Sequence, residues 1–497
     1  MNRSLCIFLF LLNFLVPLTL RADWPGFLGP DRKASSDSHD NGILSDLGKK
    51  SPHLRWKIPS GKGHSSPCIT GDFLFLTSTE DGGKTLVMTA YNRKTGEVLW
   101  RQKAEGEVED YFGHLAADPA APTPCTNGEV VVFYFGGYGL IARDVETGDL
   151  KWEKPYPFQP KTFSVGTSPI LTDHGVVVNR DGTSNSSIQC FNIDDGSLLW
   201  EIPRPGFRGT YASPYLWKNS QRTELVVPGM NSLRAYSPAD GSPLWQVEDL
   251  CVFPCTTPVA DKDQLYFAAW ATPNADSEEK LEQSFWGDLE FEPGETDDPN
   301  WIFKRFDKNN DNRIVREELP ESRMLDVFAF IDRDQNGYWT PEEPTAVISS
   351  TAPGRNLMVA ISAGHDGTLT EGQGIAWTYD NGKALPYVSS PLLLNDRVYL
   401  AKTGGILTCL DAKSGNPVFG PKRCNVGGEY YSSPVGWGDK VIHCAKQGVA
   451  LILQEGDELN VLAEHNLEEE IYASPAIVDG TLYIRTRDHL WAFGESD

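Results

Sequence analysis

The chain has 497 residues and a formal net charge of −24, which argues against nucleic acid or an anionic membrane surface as a partner. Its length exceeds one ordinary globular core, and 46 glycines, 34 prolines and 11% aromatic residues suit a large, turn-rich all-β architecture. Helical periodicity is scarce outside one segment.

Arg3 is followed by an apolar run from Leu5 to Leu20 and then by Leu20-Arg-Ala22, so residues 1–22 read as a secretory signal cleaved near Ala22. The run is too short to span a bilayer comfortably, and Asn13 and Pro17 interrupt it. The expected product is exported, periplasmic or extracellular, with no transmembrane segment in the mature chain. Removing Cys6 leaves Cys68, Cys125, Cys190, Cys251, Cys255, Cys409, Cys424 and Cys444. An even number in an exported protein permits disulfides, with Cys251–Cys255 the expected local pair. The others fall in strand-like sequence, where cysteine behaves as a small apolar residue.

Residues 23–50 carry little periodicity and are expected to lie across the surface as an irregular leader. Leu54-Arg-Trp-Lys-Ile-Pro59 is different: it resembles the outer strand of a repeat whose first three strands are missing. From there a phrase of a small residue followed by proline recurs at Ser66-Pro67, Thr123-Pro124, Ser168-Pro169, Ser213-Pro214, Thr257-Pro258, Ser390-Pro391, Ser433-Pro434 and Ser474-Pro475. A glycine with an aromatic four residues later closes repeats at Gly96/Trp100, Gly148/Trp152, Gly196/Trp200, Gly241/Trp245 and Gly415/Phe419. Proline fits the start of an innermost strand where a backbone donor can be spared, and the glycines fit hairpin turns. Pro169 and Pro214 are 45 residues apart, and four strands in such a period mark a β-propeller. The fold class is therefore an eight-bladed propeller of four-stranded antiparallel blades. The last repeat, from Ala473, supplies three strands, so Leu54–Pro59 is expected to close the eighth blade. Residues 51–273 and 353–497 form the ring.

Blade five is interrupted between residues 274 and 352, where the composition shifts to helix formers and carries 20 acidic against 8 basic residues. Two loops account for the acids. Loop one places Asp307, Asn309 and Asp311 at positions 1, 3 and 5, the Arg313 carbonyl at 7 and Glu318 at 12. Loop two repeats this with Asp332, Asp334, Asn336, Tyr338 and Glu343. Oxygen ligands at these positions ending in a bidentate glutamate are the pattern of an EF-hand calcium loop, so Ca²⁺ is the expected cofactor of an EF-hand pair. Ile314 and Trp339 stand where paired loops make a short β contact. Asn312 replaces the usual glycine of position 6 in loop one, and asparagine tolerates positive φ. Phe303, Phe306, Val327, Phe328 and Ile331 supply the apolar faces that would pack the pair.

The blade starts and the endings such as Ala142-Arg-Asp144 with Gly148 to Trp152, and Leu410-Asp411-Ala412 with Gly415 to Phe419, resemble the pyrroloquinoline-quinone-type propeller repeat. That superfamily includes quinone-dependent alcohol dehydrogenases and a non-catalytic outer-membrane-assembly lipoprotein. Asp23-Trp-Pro-Gly-Phe-Leu-Gly-Pro30 looks like the start of secreted planctomycete-type propellers of the same family. The repeat specifies how blades dock and is shared by catalytic and non-catalytic members. The dehydrogenases hold the quinone against a disulfide between adjacent cysteines; this chain has no Cys-Cys pair, and their Glu/Asn/Asp calcium set does not align. Pyrroloquinoline quinone is thus disfavoured as a cofactor. No motif here singles out a catalytic or cofactor-binding residue, and a quinone-dependent oxidoreductase is the alternative reading.

Residues just before the blade starts should meet at one mouth of the central channel: His64, Phe163, Tyr211, Phe253, Tyr387, Tyr431 and Tyr472. Aromatics with polar tips there could hold a peptide or small ligand, or pack against the next blade. Tyr111-Phe-Gly-His114 and Arg485-Thr-Arg487 could add polar groups. The expected function is an exported binding or assembly scaffold with a protein or peptide partner in the cell envelope.

Overall fold

The computed structural model describes residues 24–30, 33–106, 118–156, 165–182, 185–205, 207, 209–271, parts of 289–344, and 354–495. Eight antiparallel sheets surround a central channel, each running outward from an innermost strand that begins just after a Ser/Thr-Pro phrase. They occupy residues 68–105, 125–155, 170–203, 215–248, 259–269 with 357–379, 392–423, 435–466, and 476–493 with 54–59. Among the described residues no helix is long and apolar enough to cross a membrane.

The hydroxyl of each Ser/Thr-Pro phrase has a task that the phrase alone does not reveal. The amide of Ser66 donates to Thr123 Oγ1 at 3.0 Å, Thr123 to Ser168 Oγ at 3.0 Å, Ser168 to Ser213 Oγ at 2.9 Å and Ser213 to Thr257 Oγ1 at 3.1 Å. The series continues through Ser390, Ser433 and Ser474, whose amide returns to Ser66 Oγ at 3.0 Å. One hydrogen bond per seam thus closes an eight-membered circle around the channel. These groups are buried, so each unmade bond would leave an amide and a hydroxyl without water.

A second set of contacts joins the blades at the periphery. Every outer strand shifts register, at one place in seven blades and at two in blade 6, for example at Leu99 between the Trp100↔Ala90 and Val98↔Tyr91 pairs. Such a bulge re-aims the side chain beside it. In five blades that side chain is a tryptophan whose indole N–H reaches a carbonyl of the next blade: Trp56 to Lys94 at 3.0 Å, Trp100 to Val145 at 2.9 Å, Trp152 to Ile193 at 2.6 Å, Trp200 to Pro238 at 3.2 Å and Trp377 to Ala412 at 2.9 Å. Its ring covers the next blade's turn glycine. A Cβ on Gly148, whose φ is +72°, would lie 2.7 Å from the Trp100 ring. The recurring glycine therefore answers both to positive φ and to the neighbouring indole. Trp377, five residues after Gly372, escapes the four-residue spacing used to recognise blade ends.

Leu54–Pro59 pairs with His489–Phe493 and closes blade 8 as expected. Lys57 crosses this seam to Glu469 at 2.8 Å, and Thr486 and His489 reach the same carboxylate at 2.6 and 2.9 Å. Burial raises the pKa of that carboxyl, but the three hydrogen bonds outweigh burial and hold it at about 2, against an ordinary 4.5. A depressed carboxylate contributes stability above its unfolded pKa and loses it as pH falls toward the folded value. The seam should therefore weaken between about pH 4.5 and 2, by on the order of 3 kcal/mol. Glu469→Gln should flatten that part of the stability profile in denaturant titrations; an unchanged slope would place the acid sensitivity elsewhere.

Two expectations are corrected. The leader does more than cross the surface. Trp24 exchanges backbone hydrogen bonds with Ile69, Thr126 donates to Pro25, and Ser35–Ser36 adds a parallel strand inside blade 7. Trp24 is 1% exposed, and Gly29 lies so close that a Cβ there would sit 2.4 Å from the indole. The leader escapes periodicity because it packs through turns and isolated anchors rather than one regular face. The expected Cys251–Cys255 disulfide is also not formed: all eight described cysteines are free thiols. Cys251 packs with Val247 and Leu250, while Cys255 turns its Sγ toward the Phe253 carbonyl at 3.6 Å. Burial pushes both thiols up, Cys255 to about 12.

In blade 5, Gln264–Ala269 pairs directly with Leu357–Ser362. The chain between them departs at a neck where Asn356 Oδ1 accepts from the Ala271 amide at 2.8 Å and Asn356 Nδ2 donates to its carbonyl at 3.0 Å.

Candidate functional site

Each connection between blades reaches the channel just before its Ser/Thr-Pro phrase, which fixes where the preceding side chain points. His64, Tyr211, Tyr387, Tyr431 and Tyr472 accordingly line one pit of about 170 Å³, walled below by Ser66, Thr123, Ser168, Ser213, Thr257, Ser433 and Ser474. Phe27 reaches into the pit from the leader side. Phe253 does not line it and stands 3.6 Å from the Cβ position of Gly209. Phe163 and Tyr111 to His114 lie outside the described residues.

The aromatic groups form a ladder. His64 stacks on Tyr472 at 4.0 Å between ring centres, and Tyr472 on Tyr431 at 5.4 Å. Lys446 lies 5.8 Å over both tyrosine rings and pairs with Glu429 at 2.5 Å. Tyr431 donates its hydroxyl to Glu429 at 2.8 Å, and Tyr472 to Glu470 at 3.5 Å. Burial, then the neighbouring glutamates, raise the pKa of both phenols, so they remain protonated donors at neutral pH. Tyr387 is raised chiefly by Cys255 beside it and then by burial.

Next to the pit, and sharing His64 and Tyr472 with it, is a polar recess of about 330 Å³ lined by Lys62, Gly63, Asp118, Lys446, Glu470 and Arg487. His64 Nε2 lies 4.0 Å from Asp118, and Arg487 pairs with Glu470 at 3.5 Å. Of the two arginines expected here, only Arg487 faces the recess. Arg485 is 1% exposed and donates to the carbonyls of Ser65 and Thr77 at 3.0 and 2.8 Å and to Ser65 Oγ at 2.6 Å. Burial lowers its pKa to about 10. It anchors the turn carrying His64 and is a positioning residue. Sequence reasoning missed Phe27, Lys62 and Asp118, which lie in the leader and in connections between blades, and Lys446, which sits in a turn of blade 7 outside the recurring phrases. Glu429 and Glu470 were findable, because Glu-x-Tyr precedes the hydroxyl-proline phrase in both blades 7 and 8.

The two acidic loops share one hydrogen-bond pattern. Asp307 accepts from the amides of Asp311 and Asn312 at 3.2 and 3.0 Å, and Asp332 from those of Asn336 and Gly337 at 3.1 and 2.9 Å. Asn309 and Asp311 accept from the amides two residues on, as does Asn336 from Tyr338. Glu318 accepts from Val315 at 3.0 Å and Glu343 from Thr340 at 2.7 Å, each bridging positions 9 and 12. Asn312 and Gly337 have φ of +59° and +88°. Ile314↔Trp339 and Val315↔Tyr338 pair as a two-stranded sheet, with the Arg313 guanidinium 4.4 Å over the Tyr338 ring. Trp301, Phe306, Ile314, Phe328, Ile331 and Trp339 share an apolar cluster, with Phe303 against it. Asp334 and Val327 lie outside the described residues. Among the described residues no three acidic, histidine or cysteine side chains converge as a metal cluster.

The profile of the outer membrane protein assembly factor BamB family matches residues 40–222 and 343–497. The chain belongs to that family. BamB of Bordetella pertussis is 27% identical over 154 residues, covering 30% of this chain and 33% of that protein. BamB of Burkholderia pseudomallei is 25% identical over 240 residues, covering 46% and 58%. A polyvinylalcohol dehydrogenase of Sphingopyxis is 25% identical over 203 residues, covering 36% and 29%. The chain thus spans less than two thirds of the length of these relatives. The crystal structure of Moraxella catarrhalis BamB superposes with a TM-score of 0.51 at 13% identity, covering 88% of this chain and 98% of that one. A europium-containing methanol dehydrogenase gives 0.52 at 11%, covering 95% and 98%. Both likenesses concern the fold alone.

Proposed function

We propose that this protein is an exported, non-catalytic scaffold whose channel mouth receives a segment of a protein partner in the cell envelope. The observation that carries this reading is the size and lining of the pit. The pit of about 170 Å³ opens beside the recess of about 330 Å³ that shares His64 and Tyr472 with it, so the mouth suits one side chain in the pit with its flanking groups in the recess. Aromatic faces suit an apolar group, and Lys62, Arg487, Asp118 and Glu470 beside it offer polar partners to a peptide backbone or flanking residues. Relatives named as outer membrane assembly factors, and a leader resembling secreted planctomycete-type propellers, support a protein partner in the envelope.

Tyr472→Ala removes the middle of the aromatic ladder. A partner recovered from the envelope fraction by the tagged wild-type protein should bind the variant at least tenfold more weakly, or about 1.4 kcal/mol. Equal recovery would move the binding site away from the mouth. A quinone-dependent oxidoreductase is the second reading, favoured by the dehydrogenase relative. Incubating the protein with pyrroloquinoline quinone and calcium, then measuring dye reduction with alcohols or sugars, separates the two.

The acidic loops form part of the same proposal, as an EF-hand pair inserted in blade five. Carboxylate and amide oxygens at loop positions 1, 3 and 5 with a glutamate at 12 fit a hard cation, and both loops fold the glutamate back onto position 9. Asp307, Asn309, Asp311, Glu318 and the Arg313 carbonyl would hold one calcium ion. Asp332, Asp334, Asn336, Glu343 and the Tyr338 carbonyl would hold the other. Bound calcium would neutralise the crowded carboxylates and tie the two loops together. Calorimetry should count about two ions, and Glu318→Gln and Glu343→Gln should each remove one. An unchanged count in the double variant would place the calcium elsewhere.

A further inference from the structure

The circle of Ser/Thr-Pro hydroxyls uses only part of its bonding capacity to close the ring. A serine or threonine hydroxyl has one donor and two acceptor lone pairs, and the amide of the neighbouring blade occupies one lone pair. Among the described residues, none of the eight O–H groups donates to a protein acceptor. None of these residues is more than 5% exposed, and buried donors normally find a partner. Seven of the eight line the pit at the channel mouth, and Ser390 does not. The pit is therefore floored by fixed hydroxyl oxygens whose protons the fold itself leaves unused.

The rest of the pit adds donors and no negative charge. No acidic side chain lines it. Burial pushes the Cys255 thiol up to about 12, and the phenols of Tyr387, Tyr431 and Tyr472 are raised as well, so all four keep their protons at neutral pH. Accepting a hydrogen bond strengthens a hydroxyl as a donor, so amide-bound hydroxyls favour a group that accepts. A hard divalent cation would seek carboxylate oxygens, which this lining lacks. A ligand carboxylate is the converse: two oxygens, about four lone-pair sites and no donor. Outside the pit, Glu429 and Glu470 pair with Lys446 and Arg487, and Lys62 stands with Asp118 in the recess, so the acids nearby are matched by cations.

We propose that the pit is a carboxylate subsite: the group a partner inserts is a carboxylate on a short apolar stem, its oxygens accepting from the circle's hydroxyls and its stem lying against the His64, Tyr472 and Tyr431 rings. This rests on the channel mouth being the binding site and names what the mouth selects. Hydrogen bonds to an ionised acceptor are roughly twice as strong as neutral ones. An acidic side chain and a chain-terminal carboxylate present the same chemistry.

Fluorine NMR titrations of the intact protein with para-fluorobenzoate, para-fluorobenzamide and para-fluorobenzylamine compare an anion, a neutral amide and a cation on one ring. The benzoate should bind saturably and about tenfold or more tightly than either of the others. Ser433→Ala removes a pit hydroxyl with its seam bond, whereas Ser390→Ala removes a seam bond away from the pit. Both should lower the melting temperature alike, and only Ser433→Ala should weaken the benzoate, by roughly fivefold. Tyr472→Ala should weaken it too, which locates the site even if Ser433→Ala fails to fold. Competition by capped peptides with an internal glutamate, or by peptides ending in a free carboxylate, separates the two sources. No saturable binding, equal affinity for the amide, or a benzoate site indifferent to both Ser433→Ala and Tyr472→Ala would overturn the proposal. Loss of partner binding in Tyr472→Ala with no preference for the benzoate would refute the carboxylate and keep the mouth as the binding site.

Discussion

Trp24→Ala is expected to destabilise the propeller by about 3–5 kcal/mol, the range for truncating a buried aromatic, and Trp56→Ala by clearly less. The sequence alone suggests the opposite order, because Trp56 lies in a recognisable strand and Trp24 in an aperiodic leader. Burial reverses it. Trp24 is 1% exposed, its indole is covered by Gly29, and its backbone is bonded in both directions to the innermost strand of blade 1. Trp56 is only half-buried, and its bond to the Lys94 carbonyl lies at the outer rim. Truncating Trp24 also releases the start of a leader that places Phe27 in the pit. Urea unfolding of the two variants measures the difference; a smaller loss for Trp24→Ala would mean that the leader detaches without disturbing the ring.

What could be read from residues alone follows from how regular each feature is. The blade count and the closing strand were legible because all eight seams reuse the hydroxyl-proline phrase and five of them also set a tryptophan on the next blade's turn glycine. The spacing could not show that the hydroxyl bonds the adjacent blade, or that the tryptophan sits on the next blade's glycine. Those relations cross between repeats and appear only when the ring is closed. The mouth was half legible. His64, Tyr211, Tyr431 and Tyr472 stand three residues before a blade-start proline and Tyr387 four, and they converge as expected. Phe253 stands five residues before its proline and lies near Gly209, while Cys255, three before it, lines the pit; Phe27, Lys62 and Asp118 arrive from leader and connecting segments that follow no period. Cys251 and Cys255 show the limit of proximity in sequence: four residues apart and both beside Tyr387, they remain free thiols.

Asp181→Ala is expected to be as damaging as any single change in the ring, at about 3–5 kcal/mol, because it strands a buried guanidinium. Asp181 is fully buried and receives both Nε and Nη2 of Arg204, at 2.9 and 2.8 Å. Arg204 is 2% exposed, and Phe207 covers its cationic face at 3.9 Å. The same carboxylate accepts from Thr210 Oγ1 at 2.8 Å, one residue before Tyr211. The pair therefore ties the connection from blade 3 to blade 4 in the conformation that delivers Tyr211 to the pit. A buried ion pair is often matched in stability by apolar residues of similar volume. Asp181→Leu combined with Arg204→Met should accordingly recover much of the loss while leaving Thr210 without its acceptor. Chemical denaturation reads the first effect, and partner affinity at the mouth reads the second. If the double variant regains stability but still binds weakly, the ion pair serves to place Tyr211; if it regains both, the backbone bonds of Tyr211 and Ala212 to Pro254 suffice to hold the mouth.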